Sequence, residues 1–278
     1  YNEIANSVKR LLKQQASPAL QLSTLVADDL ESDGREILKS DFYSLVVTIG
    51  ARAAGIMADL PVKAPVLNTM IPRALYERLP RRVSGDRTSA IYLDQPLARQ
   101  LELARLVLPG KSRLGFLYSA KSAPYSAELE RLAKVKRFTI VAARGEQAGD
   151  VGPMLGKAIA EVDFLFALPD ADIYNRTTLP KILLSSYRSR RPLISFSAAH
   201  VKSGALAAVF TTPEHLARHI AELVLKLESA GKFALPPPQY SIYWSVSVNR
   251  QVAQSLGLTV STDKEIQSKL SEVTEGIP

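Results

Sequence analysis

The chain has no cysteine among its 278 residues, which excludes disulfides, thiolate metal sites, iron–sulfur clusters and cysteine nucleophiles together. Only three histidines are present, few for a metal centre that needs at least three ligands. No stretch approaches about 18 uninterrupted apolar residues, and no transmembrane helix is expected. No basic-then-apolar targeting segment occurs at Tyr1, so a signal peptide is expected to have been removed already. What is present is the balance of a globular protein, 46% hydrophobic and 22% charged with mean hydropathy +0.02. The length allows one large or two medium domains. Lysine and arginine exceed acids by eight, but the basic clusters are short: Arg81-Arg82, Lys134 with Lys136-Arg137, and Arg188 with Arg190-Arg191. They sit beside expected helix ends and turns, read as solvated surface, and no nucleic-acid partner is expected.

Short β-rich runs alternate with helical patterns, the signature of parallel sheets with crossover helices. Strands are expected at 20–27, 43–49, 65–69, 89–93, 113–118, 137–143, 163–168, 192–197 and 205–210. The clearest helix covers 96–108, opened by Pro96, with Leu97, Leu101, Ala104 and Leu108 on one face and Pro109-Gly110 as its stop. A second covers 213–230, with Leu216, Ile220, Leu223, Val224 and Leu227 in one stripe. Others are expected at 2–15, 51–59, 126–134, 152–161 and 178–188. Nine strands make a wide sheet that tends to split, so the fold class is α/β with two doubly wound parallel-sheet lobes. The expected division is 1–93 with 212–240, and 94–211 with 241–278.

Catalytic signatures are missing. Gly110-Lys111-Ser112 resembles the end of a phosphate loop, but Arg105 stands where that motif needs glycine, and the run follows a helix. No GxGxxG, GxSxG or HExxH occurs. His215 and His219 share a helix face at i and i+4, as a zinc pair would. His200 is the only other histidine, and Glu214 or Glu222 would have to complete a site, so no metal is expected. Carboxylates such as Asp28-Asp29 and Asp170 with Asp172 have nothing that orients them for catalysis. Neither an enzyme nor a cofactor is expected.

In open α/β sheets ligands bind beyond the carboxyl ends of the strands. The loops there carry Gly50-Ala51-Arg52, Asn68 and Thr69, Ser119 and Tyr125, Asp170, Asp172 and Tyr174, and Ser197. Tyr92, Tyr118, Phe196 and Phe210 also lie at or near strand ends, where aromatic rings with few polar groups suit a small-molecule site.

Several runs together resemble a known family. They are Tyr92-Leu-Asp94-Gln95-Pro96-Leu-Ala-Arg-Gln100-Leu-Glu-Leu, Leu108-Pro109, Arg113-Leu-Gly-Phe-Leu-Tyr118-Ser119, Gly204-Ala-Leu-Ala-Ala-Val and the closing Val248-Asn249-Arg-Gln-Val-Ala253-Gln-Ser-Leu-Gly257. In this order they look like ABC-transporter substrate-binding proteins related to the tryptophan-binding TrpX type. The resemblance implies a periplasmic-binding-protein type I fold, hinge closure on an amino-acid-like ligand, a periplasmic or extracytoplasmic location, and an ABC permease in the inner membrane as partner. Action as a monomer is expected. Under this reading Gly50, Ala51 and Arg52 hold an anionic group, Asp170 or Asp172 an amine, and Tyr92, Tyr118, Tyr174 and Phe196 stack on the ligand, with Asp94, Asn68, Thr69, Ser119, Tyr125 and Ser197 completing the site.

The chain departs from the family's pattern in three places. It opens on a helix where relatives have a strand, so the true start is expected to be missing. It has Asp170-Ala-Asp172-Ile-Tyr174-Asn175 in place of an Asp-Asn-Thr run, and Thr211-Thr212-Pro213 where Asp and Tyr are usual. Two other classes share parts of the pattern: a ligand-sensing domain of a signalling system, and a two-lobed glycosyltransferase-like enzyme.

Overall fold

The computed structural model describes residues 1–16, 20–27, 42–80, 87–146 and 148–274. They form two compact units, Tyr1–Asp94 with Thr211–Trp244 and Gln95–Phe210 with Ser245–Pro278. The elements run α1 (Asn2–Gln15), β1 (Val46–Ile49), α2 (Ala51–Asp59), β2 (Val66–Ile71), α3 (Arg73–Tyr76) and β3 (Thr88–Tyr92) in the first unit. The second unit continues with α4 (Leu97–Val107), β4 (Arg113–Tyr118), α5 (Ala123–Val135), β5 (Thr139–Arg144), α6 (Val151–Ile159), β6 (Phe164–Phe166), α7 (Leu179–Arg188), β7 (Leu193–Ser195), α8 (Ala198–Ser203) and β8 (Ala207–Phe210). The chain returns to the first unit for α9 (Pro213–Ser229) and β9 (Gln239–Tyr240), then ends in the second with β10 (Ser245–Val248), α10 (Arg250–Ser255) and α11 (Asp263–Thr274).

In the first unit four parallel strands take the order β1-β2-β3-β9. Side chains alternate across a sheet, so Leu67 and Val66 serve opposite faces. Leu67 and Ile91 meet Ile4, Val8 and Leu12 of α1 and Leu216, Ile220, Leu223, Val224 and Leu227 of α9. Val66 meets Met57, Leu60, Val62 and Ala64 in and beyond α2. Both faces are covered, as a parallel sheet requires.

The second unit's sheet has the order β10-β8-β7-β6-β4-β5, parallel except for the antiparallel edge pair β10 and β8. Short central strands such as Phe164-Leu165-Phe166 are buried throughout, because helices lie on both sides. One face packs Leu117, Leu165 and Leu193 against Met154 and Leu155 of α6, Ile182 and Leu183 of α7 and Val201 of α8. The other is covered by α4, which also touches α5 and α11. Enclosure on several sides buries even the charged groups of α4. Glu102 accepts a hydrogen bond from Lys136 Nζ at 2.5 Å, and Arg99 donates to the Gln95 side chain and to Thr274 Oγ1.

Residues 20–27 form no strand, contrary to the periodicity. Leu22, Leu25 and Val26 are exposed, and among the described residues no strand supplies them a ladder. Strands β9 and β10 and helices α3, α8, α10 and α11 are additional to the expectation. For α11 the sequence held a start signal: the Thr262 hydroxyl accepts from Glu265 N at 3.2 Å, while Glu265 accepts from Thr262 N at 2.8 Å, a capping box. Asp28-Asp29 and Arg81-Arg82 lie outside the described residues.

Gly115 in β4 sets how near α6 approaches. A Cβ there would lie 2.2 Å from the Ala158 carbonyl oxygen, a clash with backbone that cannot swing aside. Gly115→Ala is expected to cost about 1 to 3 kcal/mol by overpacking. Gly156→Ala on the open side of α6, where a Cβ meets nothing within 4 Å, should instead stabilise by roughly 0.5 to 1 kcal/mol. Urea unfolding midpoints check both signs.

Candidate functional site

In the second unit the site residues gather around one buried carboxylate. β4 ends at Tyr118, and the turn into α5 brings Ser119 and Ser122 to Asp170, which follows β6 and is 3% exposed. Asp170 Oδ2 accepts from Ser119 N at 3.0 Å, Ser119 Oγ at 2.7 Å and Ser122 Oγ at 2.5 Å. Its Oδ1 accepts from Asp172 N at 2.9 Å. Burial pushes the carboxyl pKa up, but these hydrogen bonds, led by those from Ser122 and Ser119, outweigh it and hold Asp170 below the usual carboxylate range. The Asp170 carboxylate thus ties the β4–α5 loop to the β6–α7 loop. The second loop is bonded internally too: Asn175 Oδ1 accepts from Thr177 N and Thr178 N, and Thr178 Oγ1 donates to Ile173 O. Asp172 reaches the surface and pairs with Lys121 Nζ at 2.8 Å.

Tyr174 is buried beside this knot, its hydroxyl pushed far up by burial and by the Asp170 charge. Its ring meets Phe196 at 5.9 Å and His200 at 6.1 Å, and Phe196 meets His200 at 4.9 Å. Burial pushes the His200 pKa down, and its Nδ1 lies 2.7 Å from Ser195 Oγ. A serine beside a histidine is a nucleophile's arrangement, but here Ser195 is wholly buried within β7. Ser197 caps α8 by accepting from Ala199 N. Tyr125 is in the core at 1% exposure. Half-buried Tyr118, Phe196 and Phe210 stand at the ends of β4, β7 and β8.

In the first unit Gly50 opens α2 with φ 102° and ψ 160°, a conformation reserved for glycine. Its N–H bonds Thr69 O at 2.9 Å, and the Tyr1 ring packs where a Cβ would point. Ala51 and the exposed Arg52 follow in the first turn of α2. Asn68 and Thr69 are inside β2: Thr69 Oγ1 donates to Thr48 O at 2.6 Å, and Asn68 accepts from Thr48 Oγ1 and donates to Ser89 O. Their polar atoms therefore stitch the sheet. Tyr92 ends β3 between the rings of Tyr76 and Tyr240, at 5.8 and 5.2 Å, and its hydroxyl is pushed up to about 12 by burial, then by Glu77 and Tyr76. Asp94 accepts from Arg73 N at 2.8 Å. At the β2 end Met70 has φ 54° beside a register shift.

Sequence reasoning missed Ser122, Lys121, His200, Arg73, Tyr76 and Tyr240. A second serine three residues after Ser119 was a signal for a turn around an acceptor; the ring contacts had none. Among the described residues no group of three or more acidic or histidine side chains could hold a metal ion. His219 Nδ1 accepts from Ile242 N at 3.4 Å.

The folded Asp170 pKa lies below its unfolded value of about 3.9, so its stabilisation is fully present above that value and is lost as pH falls through the folded pKa. Asp170→Asn should cost about 3 kcal/mol at neutral pH, because an amide puts a donor against donors. It should also flatten the stability curve below about pH 4. Denaturation midpoints between pH 2 and 7, roughly the range in which such a group titrates, check both effects.

A family model described as ABC transporter substrate binding protein matches residues 32–271. No curated protein matches in sequence. Among solved structures, a Streptococcus ABC domain in complex with L-Trp is 18% identical, covers 96% of this chain and 92% of its own, and gives a TM-score of 0.67. A ligand-free, open substrate-binding protein with adhesive properties from Clostridium difficile is 17% identical over 95% of this chain and 92% of its own, with a TM-score of 0.75. A conserved domain protein from Vibrio cholerae is 15% identical over 96% and 93%, with a TM-score of 0.66. At these identities the structures establish the fold, that of type I periplasmic binding proteins. With the family model spanning 240 of 278 residues, the chain belongs to the ABC transporter substrate-binding protein family.

Proposed function

We propose that the protein is an extracytoplasmic solute-binding protein that captures a small, amino-acid-like ligand and delivers it to an ABC permease. It binds without transforming its ligand and acts as a monomer. The observation that carries this reading is the knot around Asp170: two carboxyl-end loops are fixed in place while Tyr118, Phe196 and Phe210 beside them keep partly open faces. A binding protein gains affinity from loops ordered before the ligand arrives. The L-Trp bound by the Streptococcus relative supports the ligand class.

In this reading each unit, taken by itself, carries candidate ligand groups on its strand-end loops. The first offers Gly50, Ala51 and Arg52 to an anionic group, with Tyr92 and Asp94 nearby in sequence to the end of β3. The second offers Asp172 to an amine, with Tyr118 and Phe196 against the apolar part. Asp170, Tyr174, Ser119, Ser197 and Tyr125 act from behind, as positioning residues whose polar atoms or rings are already engaged. Asn68 and Thr69 hold β2 in register.

Scanning calorimetry against the free amino acids and their close analogues should find a ligand that raises the unfolding midpoint. With it, Asp172→Ala or Arg52→Ala should weaken binding at least about thirtyfold where that residue meets a ligand charge that binding takes out of water, since losing one member of such a pair costs roughly 2 to 5 kcal/mol. Unchanged affinity in both variants would return them to the surface, and absence of any stabilising ligand from that panel would contradict the ligand class.

A further inference from the structure

The net charge of +8 is concentrated. Residues 173–210 hold six cations, Arg176, Lys181, Arg188, Arg190, Arg191 and Lys202, and no aspartate or glutamate. Five of them lie on α7 and its flanking turns. Among the described residues none of the six joins an ion pair with a carboxylate. Helix α7 buries Ile182, Leu183 and Ser186 against the sheet. Its opposite side presents Lys181, Leu184, Tyr187 and Arg188, with Leu184 49% and Tyr187 58% exposed. The turn that follows is locked by Arg190 N to Tyr187 O, Arg191 N to Ser186 O and Ser186 Oγ to Arg191 O, with Arg190 at φ 53°, so the cations stand on fixed backbone.

We propose that the outer face of α7 docks the protein on an anionic phospholipid surface. A leucine and a tyrosine projecting from a convex helix face among cations have the composition of an interfacial contact, in which apolar side chains enter the headgroup boundary and the cations meet lipid phosphate. The single sign of charge favours this partner over a protein. A protein interface is set in register by complementary charges of both signs, whereas a smeared negative surface requires none. Ligand capture by the strand-end loops does not depend on this face.

The test is co-sedimentation of the full chain with vesicles of phosphatidylcholine alone and with about a quarter of that lipid replaced by phosphatidylglycerol. Binding is expected only to the anionic vesicles and should fall as salt rises. At about fivefold per cation lost, Lys181→Gln with Arg188→Gln should lower affinity more than about twentyfold, and Leu184→Ser with Tyr187→Ser by several-fold. Arg131→Gln with Lys134→Gln, which removes the same charge from exposed positions of α5, should have little effect. Circular dichroism confirms that each variant is folded. Equal binding to both vesicle types, no binding to either, or equal losses from the α5 and α7 pairs would overturn the proposal. So would α7-dependent binding to an acidic polypeptide without binding to anionic vesicles.

Discussion

A carboxylate taken out of water stays ionised only if hydrogen-bond donors replace the water around it. At Asp170 that replacement shapes the candidate site. The donors come from two loops separated by some fifty residues in sequence, so satisfying one charge fixes the relative position of the β4–α5 and β6–α7 turns. Tyr174 packs behind the charge, and Phe196 and His200 pack against Tyr174. The ends of three strands are therefore aligned by one buried group and the rings stacked on it. The role these groups play is positional, and the Ser195–His200 contact is buried in the core.

The first unit uses a different device for the same end. Thr48, Asn68 and Ser89 link neighbouring strands through side-chain hydrogen bonds, and Ser89 Oγ reaches Pro236 O at 2.6 Å just before β9. Tyr76, Tyr92 and Tyr240 then close the carboxyl end with ring contacts, and Arg73 lies over the Tyr240 ring at 5.9 Å. Aromatic and amide groups carry the order here, where a buried charge carries it in the second unit.

The eight expected strands from 43–49 onward correspond to β1–β8, because buried parallel strands are apolar runs and the intervening helices carry their own stripe. The 20–27 run had the composition of a strand but, among the described residues, no neighbour, and a strand exists only as half of a ladder. Helix α11 escaped because only Ile266, Leu270 and Thr274 are buried, too few to make a visible stripe in a polar segment; its capping box was the stronger signal. At the site, loop position was readable and pairing was not. Asp170 and Asp172 look alike in sequence, yet one is saturated in the interior and the other reaches solvent. Tyr118 and Tyr125 look alike as well, yet only the first stands at a strand end. Which side chain is spent on the fold depends on contacts across long sequence separations, and those have no local pattern.

The central proposal is that the chain receives its ligand on strand-end loops. Hydrogen–deuterium exchange with and without a calorimetrically identified ligand tests it most directly, because protection is read segment by segment. The account predicts slowed exchange at strand-end segments, drawn from 50–54, 93–95, 118–122, 170–174 and 196–198. Protection confined to segments away from the carboxyl ends of the strands would contradict it.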